Sequence, residues 1–170
     1  MVSKFLPAVS AKLLKQKQAS GNLEDYYELL AEPLHEELYR RQTFDFIDEL
    51  SEGQQLLLSY DYVLMQVSQG GFIQLIQNGY IGLLLPMPAW LNMVDAPGMA
   101  KLIDDVLKVY VLNKNILDKE TSVEEFAMLY NELPEFEILD QRFEELNEQT
   151  IKKILAYASS HIEEFASIDN

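Results

Sequence analysis

SEGQQLLLSYDYVLMQVSQGGFIQLIQNG, residues Ser51 to Gly79, reads as two helices separated by a forced break. Ser51 followed by Gln54 is a capping-box pattern, in which each side chain serves the other residue's backbone N–H at a helix start. Leu56, Leu57, Tyr60, Val63, Leu64 and Val67 then recur at helical steps, so one broad apolar face predicts a helix from about Glu52 to Ser68. Gly70-Gly71 ends it, because glycine takes left-handed backbone angles without a side-chain clash. Phe72 to Gln77 then forms a short second helix, closed by Asn78-Gly79.

The same spacing continues on both sides. Leu23, Tyr26, Tyr27, Leu30, Leu34 and Leu38 form a stripe behind a Ser20-Gly21-Asn22 cap, and Pro33 inside it predicts a kinked helix or two short ones meeting near Glu32. Tyr80 to Leu85, ahead of Pro86-Met87-Pro88, is expected to be a connection or a brief extended piece. Asp95 is expected to cap a helix with Pro97 in its first turn, carrying Leu102, Ile103, Val106, Leu107, Tyr110 and Val111 in the core. Thr121 with Glu124, or Ser122 with Glu125, opens a helix whose face is Val123, Phe126, Ala127 and Tyr130. A final pair follows, one helix carrying Phe136, Leu139, Phe143 and Leu146, the next Ile151, Ile154, Leu155, Ala158, Ile162 and Phe165. The expected fold is therefore all-α, a compact single-domain multi-helix bundle. Residues 1–21 are read as a basic polar leader outside the core and residues 22–170 as the helical domain. A chain of 170 residues, 48% hydrophobic, can build one core without metal or disulfide.

Charge is distributed in blocks. The chain carries 28 acids against 13 Lys and Arg, a formal charge of -15. Residues 1–21 contribute +4 and residues 53–117 only -1, whereas residues 22–52 contribute -8 and residues 118–170 contribute -10. Such a chain repels a phosphate backbone, so direct nucleic-acid binding has the wrong sign, and the acid-rich flanks suit a basic protein partner. The exposed acids expected to meet that partner are Glu36, Glu37, Glu144, Glu145 and Glu148. The longest late apolar run, Ile81 to Met87, is far below membrane-spanning length, and Met1 to Ser10 holds no apolar stretch of signal-peptide length; the expectation is a cytoplasmic protein with no membrane contact.

Chemistry is sparse. With no cysteine, thiolate catalysis and Cys-based metal sites are excluded. Glu32 and His35 have the i,i+3 spacing of helical di-iron sites, but Ala158 stands where His161 would need its glutamate, and His35-Glu36-Glu37-Leu38-Tyr39 lacks the second histidine of a zinc protease helix. Ser68-Gln69-Gly70-Gly71-Phe72 matches neither a P-loop nor a dinucleotide fingerprint. No enzyme activity, cofactor or metal is expected. What stands out is the aromatic and amide density around the break: Phe72, Gln74, Gln77, Asn78 and Tyr80, preceded by Tyr60, Tyr62, Gln66 and Gln69. These side chains could hydrogen-bond the broken backbone, line a pocket or form an interface. The pocket version predicts an apolar concavity near Phe72, Gln77, Asn78, Tyr80 and Trp90, and with it a small-ligand-binding or enzymatic role.

Gly70, Gly71, Phe72, Gln74 and Asn78 together resemble the G-G-F-x-Q-x-x-x-N signature of the helical DMP19-like family, also called DUF4375. Leu133 to Phe143, LPEFEILDQRF, is similar to that family's second recurring stretch, in which a leucine–aspartate pair precedes an aromatic on the next turn. Ser68-Gln69, Leu75 and Gly79-Tyr80-Ile81-Gly82 depart from the family pattern. The resemblance implies an all-helical fold and, by way of the family's DNA-mimicking member, a homodimer whose acids occupy the DNA-binding face of a basic regulator.

Overall fold

The computed structural model describes residues 5–170; the part of the leader at residues 1–4, including Lys4, lies outside the described residues. The fold is all-helical apart from two short strands, and the chain divides into two compact units, one running to Leu58 and resuming at Ile151–Asn170, the other Ser59–Thr150. Both boundaries fall inside helices, so no linker composition marks them in the sequence.

In the first unit, strand β1 (Ala8–Ser10) leads into helix α1 (Ala11–Ala19), which Ser10 caps by accepting from the Leu13 N–H. Helix α2 spans Leu23–Arg41. Asn22 caps it, Glu24 and Asp25 sit at its positive end, Arg40 and Arg41 at its negative end, and Gln42 closes it with φ 56°. Pro33 lies inside this one helix, whose buried stripe is Tyr26, Tyr27, Leu30, Ala31, Leu34 and Leu38. The lost N–H is outweighed by that continuous apolar face. A short 3₁₀ helix, Phe44–Glu49, brings fully buried Phe46 under Arg41, whose guanidinium lies 5.0 Å from the ring centroid.

The leader is not outside the core. Strand β1 pairs in parallel with strand β2 (Ser167–Asp169), Ala8 opposite Ser167 and Ser10 opposite Asp169, and both Val9 and Leu14 are buried. Among Lys12, Lys15 and Lys17 the large apolar residues are the adjacent pair Leu13-Leu14, too few for a helical stripe to show in the sequence. Gln54 joins the two chain ends directly: its amide N–H donates to the Phe5 carbonyl at 2.8 Å and to the Phe165 carbonyl at 3.2 Å.

Helix α3 spans Glu52–Gln77 and begins with the capping box expected, Ser51 and Gln54 exchanging bonds of 3.0 and 3.2 Å. Its path breaks at Gly70 (φ -155°, ψ 17°) and Gly71 (φ 74°, ψ -175°). In the second unit the expected connection or brief extended piece is a short 3₁₀ turn, Ile81–Leu84, which is followed by α4 (Met87–Met93), α5 (Pro97–Leu112) and α6 (Lys114–Leu117). Asp95 does not cap α5: it takes φ 62° itself, and the helix starts at Pro97 with no side-chain cap. Leu102, Ile103 and Val106 are fully buried, but Val111 is 68% exposed near the helix end.

Helix α7, Val123–Glu132, uses the Ser122–Glu125 capping box. Its inner residue is Leu129, with Phe126 and Tyr130 half-buried; Val123 and Ala127, expected on the inner face, are exposed. Helix α8 then runs unbroken from Glu135 to Ser160 where two helices were expected. The polar interval Asn147 to Thr150 holds no glycine or proline, and buried Thr150 donates its hydroxyl to the Leu146 carbonyl at 2.8 Å, so nothing stops the helix. It ends before Phe165, which a 3₁₀ turn at Ile162–Glu164 delivers onto Gly53. Among the described residues no helix is long and apolar enough to cross a membrane.

Candidate functional site

The break at Gly70-Gly71 exposes backbone groups that the helix no longer satisfies, and side chains distant in sequence supply their partners. Oδ1 of Asp140, on α8, accepts the Phe72 N–H at 2.8 Å. The Tyr130 hydroxyl, on α7, lies 2.7 Å from Oδ2 of Asp140 and 3.0 Å from the Gly70 carbonyl oxygen. The aspartate of the second recurring stretch therefore sits on the glycine turn of the first. Burial pushes the Asp140 carboxyl above its ordinary range; the bonds from Phe72 and Tyr130 work against that rise, and nearby Glu137 adds to it. Burial likewise raises the Tyr130 hydroxyl, reinforced by its bond to Asp140. Beneath the turn, fully buried Phe72 meets Phe143 edge-on at 5.6 Å, and Tyr60 stacks on Phe143 at 5.9 Å while donating to Oδ1 of Asn147 at 2.7 Å.

The amides do not bond the broken backbone itself; Gln74, Gln77 and Asn78 bond other partners and line a cleft, one of the roles the sequence left open. Gln74 and Asn78 donate from their side-chain amides to Oε1 of buried Gln66, at 3.2 and 2.7 Å. Gln77 donates to the Leu117 carbonyl and accepts the Thr121 hydroxyl at 2.9 Å. They brace the segment after the break against its neighbours, and Asp140 and Tyr130 serve the break itself. Sequence reasoning named Gly70, Gly71, Phe72, Gln74 and Asn78 but missed Tyr130 and the role of Asp140. The signal for Asp140 was its place in the second recurring stretch; Tyr130 carried none.

Two clefts flank this turn. One, of about 590 Å³, is lined by Gln74, Gln77, Asn78, Glu120, Thr121, Ser122, Val123 and Phe126. The other, of about 470 Å³, has Leu64, Val67 and Phe143 as its apolar part and Glu137, Asp140 and Glu144 among its polar lining. Phe72, Tyr80 and Trp90, expected around an apolar concavity, line neither: Phe72 is fully buried and Tyr80 stacks on Tyr62 at 5.6 Å. Among the described residues, no three acidic or histidine side chains gather in a way that could hold a metal ion.

The five acids proposed from sequence divide between the units. Glu36 and Glu37 lie on α2, and Glu36 is exposed. Glu37 is committed within its own helix: its carboxylate takes Arg40 at 2.6 and 2.8 Å and Arg41 at 2.6 Å, while Arg41 also reaches Glu49 at 2.6 Å. The bonds from Arg40, then Arg41, hold the Glu37 carboxyl down at about 2, from an ordinary 4.5. A lowered folded value means that its stabilising contribution is present above the unfolded value and is lost as pH falls through the folded one. Glu37→Gln should therefore be less stable than the wild type at pH 7, and the gap in melting temperature should close as pH falls from about 4.5 toward about 2. A gap that stayed constant over that range would show that the two arginines do not stabilise the ionised form.

Glu144, Glu145 and Glu148 are all exposed on α8. With exposed Glu137 they face outward along the helix, Glu137, Glu144 and Glu148 standing near one line at axial separations of ~10 and ~6 Å from the helical rise. Arg142, the one cation on this part of α8, is held at 2.9 Å by Asp105, which Lys101 also contacts.

The class these features define is an all-helical scaffold whose second unit turns a row of carboxylates outward. Comparison with known proteins gives it a family: the DMP19-like protein family matches residues 48–161. The DNA mimic protein DMP19 of Neisseria meningitidis serogroup B (strain ATCC BAA-335 / MC58) is 30% identical over 122 residues, which span 70% of this chain and 74% of that protein. The chain belongs to the DMP19-like family.

Proposed function

We propose that this protein binds a basic DNA-binding protein in place of DNA, without catalysing a reaction, and that Glu137, Glu144, Glu145 and Glu148 of α8 stand in for backbone phosphates. The observation that carries the reading is the row itself: carboxylates repeat along one exposed face while Arg142, the cation among them, is occupied by Asp105. Carboxylates so placed pair with lysine and arginine side chains and steer a basic surface at long range. The Neisseria relative is a DNA mimic protein by name, which supports the same direction. Glu36 extends the proposal to the first unit as a further contact, whereas Glu37 is left out because Arg40 and Arg41 already use it.

The test is affinity capture on the immobilised chain from a native extract at low salt, followed by measurement of the complex against salt and duplex DNA. The expected outcome is a DNA-binding protein whose affinity falls steeply with salt and which duplex DNA displaces. The combined substitution Glu137→Gln, Glu144→Gln and Glu148→Gln should weaken the complex by about tenfold, at ~0.5 kcal/mol for each exposed pair. Capture of no basic protein at low salt, or of one that holds DNA and this chain at the same time, would defeat the reading.

A further inference from the structure

We propose that the cleft of about 590 Å³ between the end of α3 and the start of α7 binds a short extended segment of a protein partner, seating an apolar side chain against Val123 and Phe126 and its basic neighbour at Glu120. This goes beyond the row of acids on α8 and does not rest on it. The walls are preformed: Gln77 ties the α3 side to the Leu117 carbonyl and to the Thr121 hydroxyl, so the opening does not depend on a loose loop. The amide orientation is also set. Asn78 turns its N–H toward buried Gln66, which leaves its side-chain oxygen as an acceptor without a protein donor among the described residues. An extended backbone offers N–H groups to such an acceptor, as amide-lined grooves use them.

The apolar wall is equally specific. Val123 is 87% exposed at the first position of α7, and Phe126 lies half-buried one turn on. A β-branched side chain left in water beside an aromatic ring gains by covering. Glu120 is the single charged group lining the cleft, and the chain as a whole carries -15, so the occupant that matches in both chemistry and charge is basic next to apolar. Among the described residues no three His, Cys, Asp or Glu side chains gather here to hold a metal ion.

The probe is acetyl-Arg-Leu-amide, titrated into the full-length isotope-labelled chain while the side-chain amide signals of Gln74, Gln77 and Asn78 are followed by NMR. A saturable shift at millimolar concentration is expected, with acetyl-Glu-Leu-amide binding at least about fivefold more weakly. Because Val123 and Glu120 are exposed, Val123→Ser and Glu120→Gln should fold normally, which an unfolding curve verifies, and each should weaken the arginine probe by about fivefold. Absence of a saturable shift, equal affinity for the two dipeptides, or unchanged affinity in Val123→Ser would each overturn the proposal.

Discussion

Gly71→Ala should lower the free energy of unfolding by about 3–5 kcal/mol, the largest single loss expected from any glycine in the chain. Two costs combine. Gly71 sits at φ 74° and ψ -175°, a region open essentially to glycine alone, and forcing another residue there costs about 1–3 kcal/mol. A Cβ at this position would also stand 1.9 Å from the Tyr130 hydroxyl and 2.2 Å from Oδ2 of Asp140, and neither group can stay where it is. Displacing Asp140 removes the acceptor of the Phe72 N–H in a fully buried residue, a further cost of about 1–3 kcal/mol. Gly70→Ala is the internal comparison. Its φ of -155° is not left-handed, and its added Cβ would meet the Gln74 side chain, from Oε1 at 2.1 Å to Cβ at 2.9 Å, so Gln74 must shift and give up its bond to Gln66 while Asp140 stays on the Phe72 N–H. That variant should lose about 1–2 kcal/mol, from the shifted Gln74 and its lost bond. Urea unfolding of both variants gives the answer, and a Gly71→Ala loss no larger than that of Gly70→Ala would show that the turn is not clamped by Tyr130 and Asp140.

What could be read from the sequence was local. The Ser51–Gln54 and Ser122–Glu125 boxes span four residues each, and the break at Gly70-Gly71 follows from two adjacent glycines; the structure has all three. Exposed positions were also legible, so Glu144, Glu145 and Glu148 emerge on the surface as anticipated. The misreading of the leader arises because its deciding partner lies far along the chain. Strand β1 is fixed by residues more than 150 positions away, and a three-residue strand has no period of its own. The gap between the apolar stripes of α8 looked like a boundary because Thr150 is polar, although it is buried and bonded within the helix. Glu37 differs: Arg40 and Arg41 stand at i+3 and i+4 from it, the spacing of helical ion pairs, so its engagement was available from the residues alone.

Asp140 is where the two recurring stretches meet, and its substitution should separate hydrogen bonding from charge. Asp140→Ala removes the acceptor of the Phe72 N–H and a partner of the Tyr130 hydroxyl, and should cost about 2–3 kcal/mol at neutral pH. Asp140→Asn keeps an oxygen for Phe72 and offers Tyr130 an amide, so its loss should be about half as large or smaller. The pH dependence carries the sharper expectation. Burial raises the folded carboxyl above its unfolded value, so the native state holds the proton more readily than the unfolded chain does. The contribution of the Asp140 carboxyl is then fully present below the unfolded value of about 3.9 and is lost as pH rises through the folded one. Asparagine has no proton to lose. The stability advantage of the wild type over Asp140→Asn should therefore be greatest in mild acid and shrink toward neutrality, as unfolding curves from pH 4 to pH 8 would record. An advantage that grew with pH would mean that the ionised carboxylate is what the Phe72 N–H and the Tyr130 hydroxyl stabilise, and that their bonds outweigh the burial which sets the present expectation.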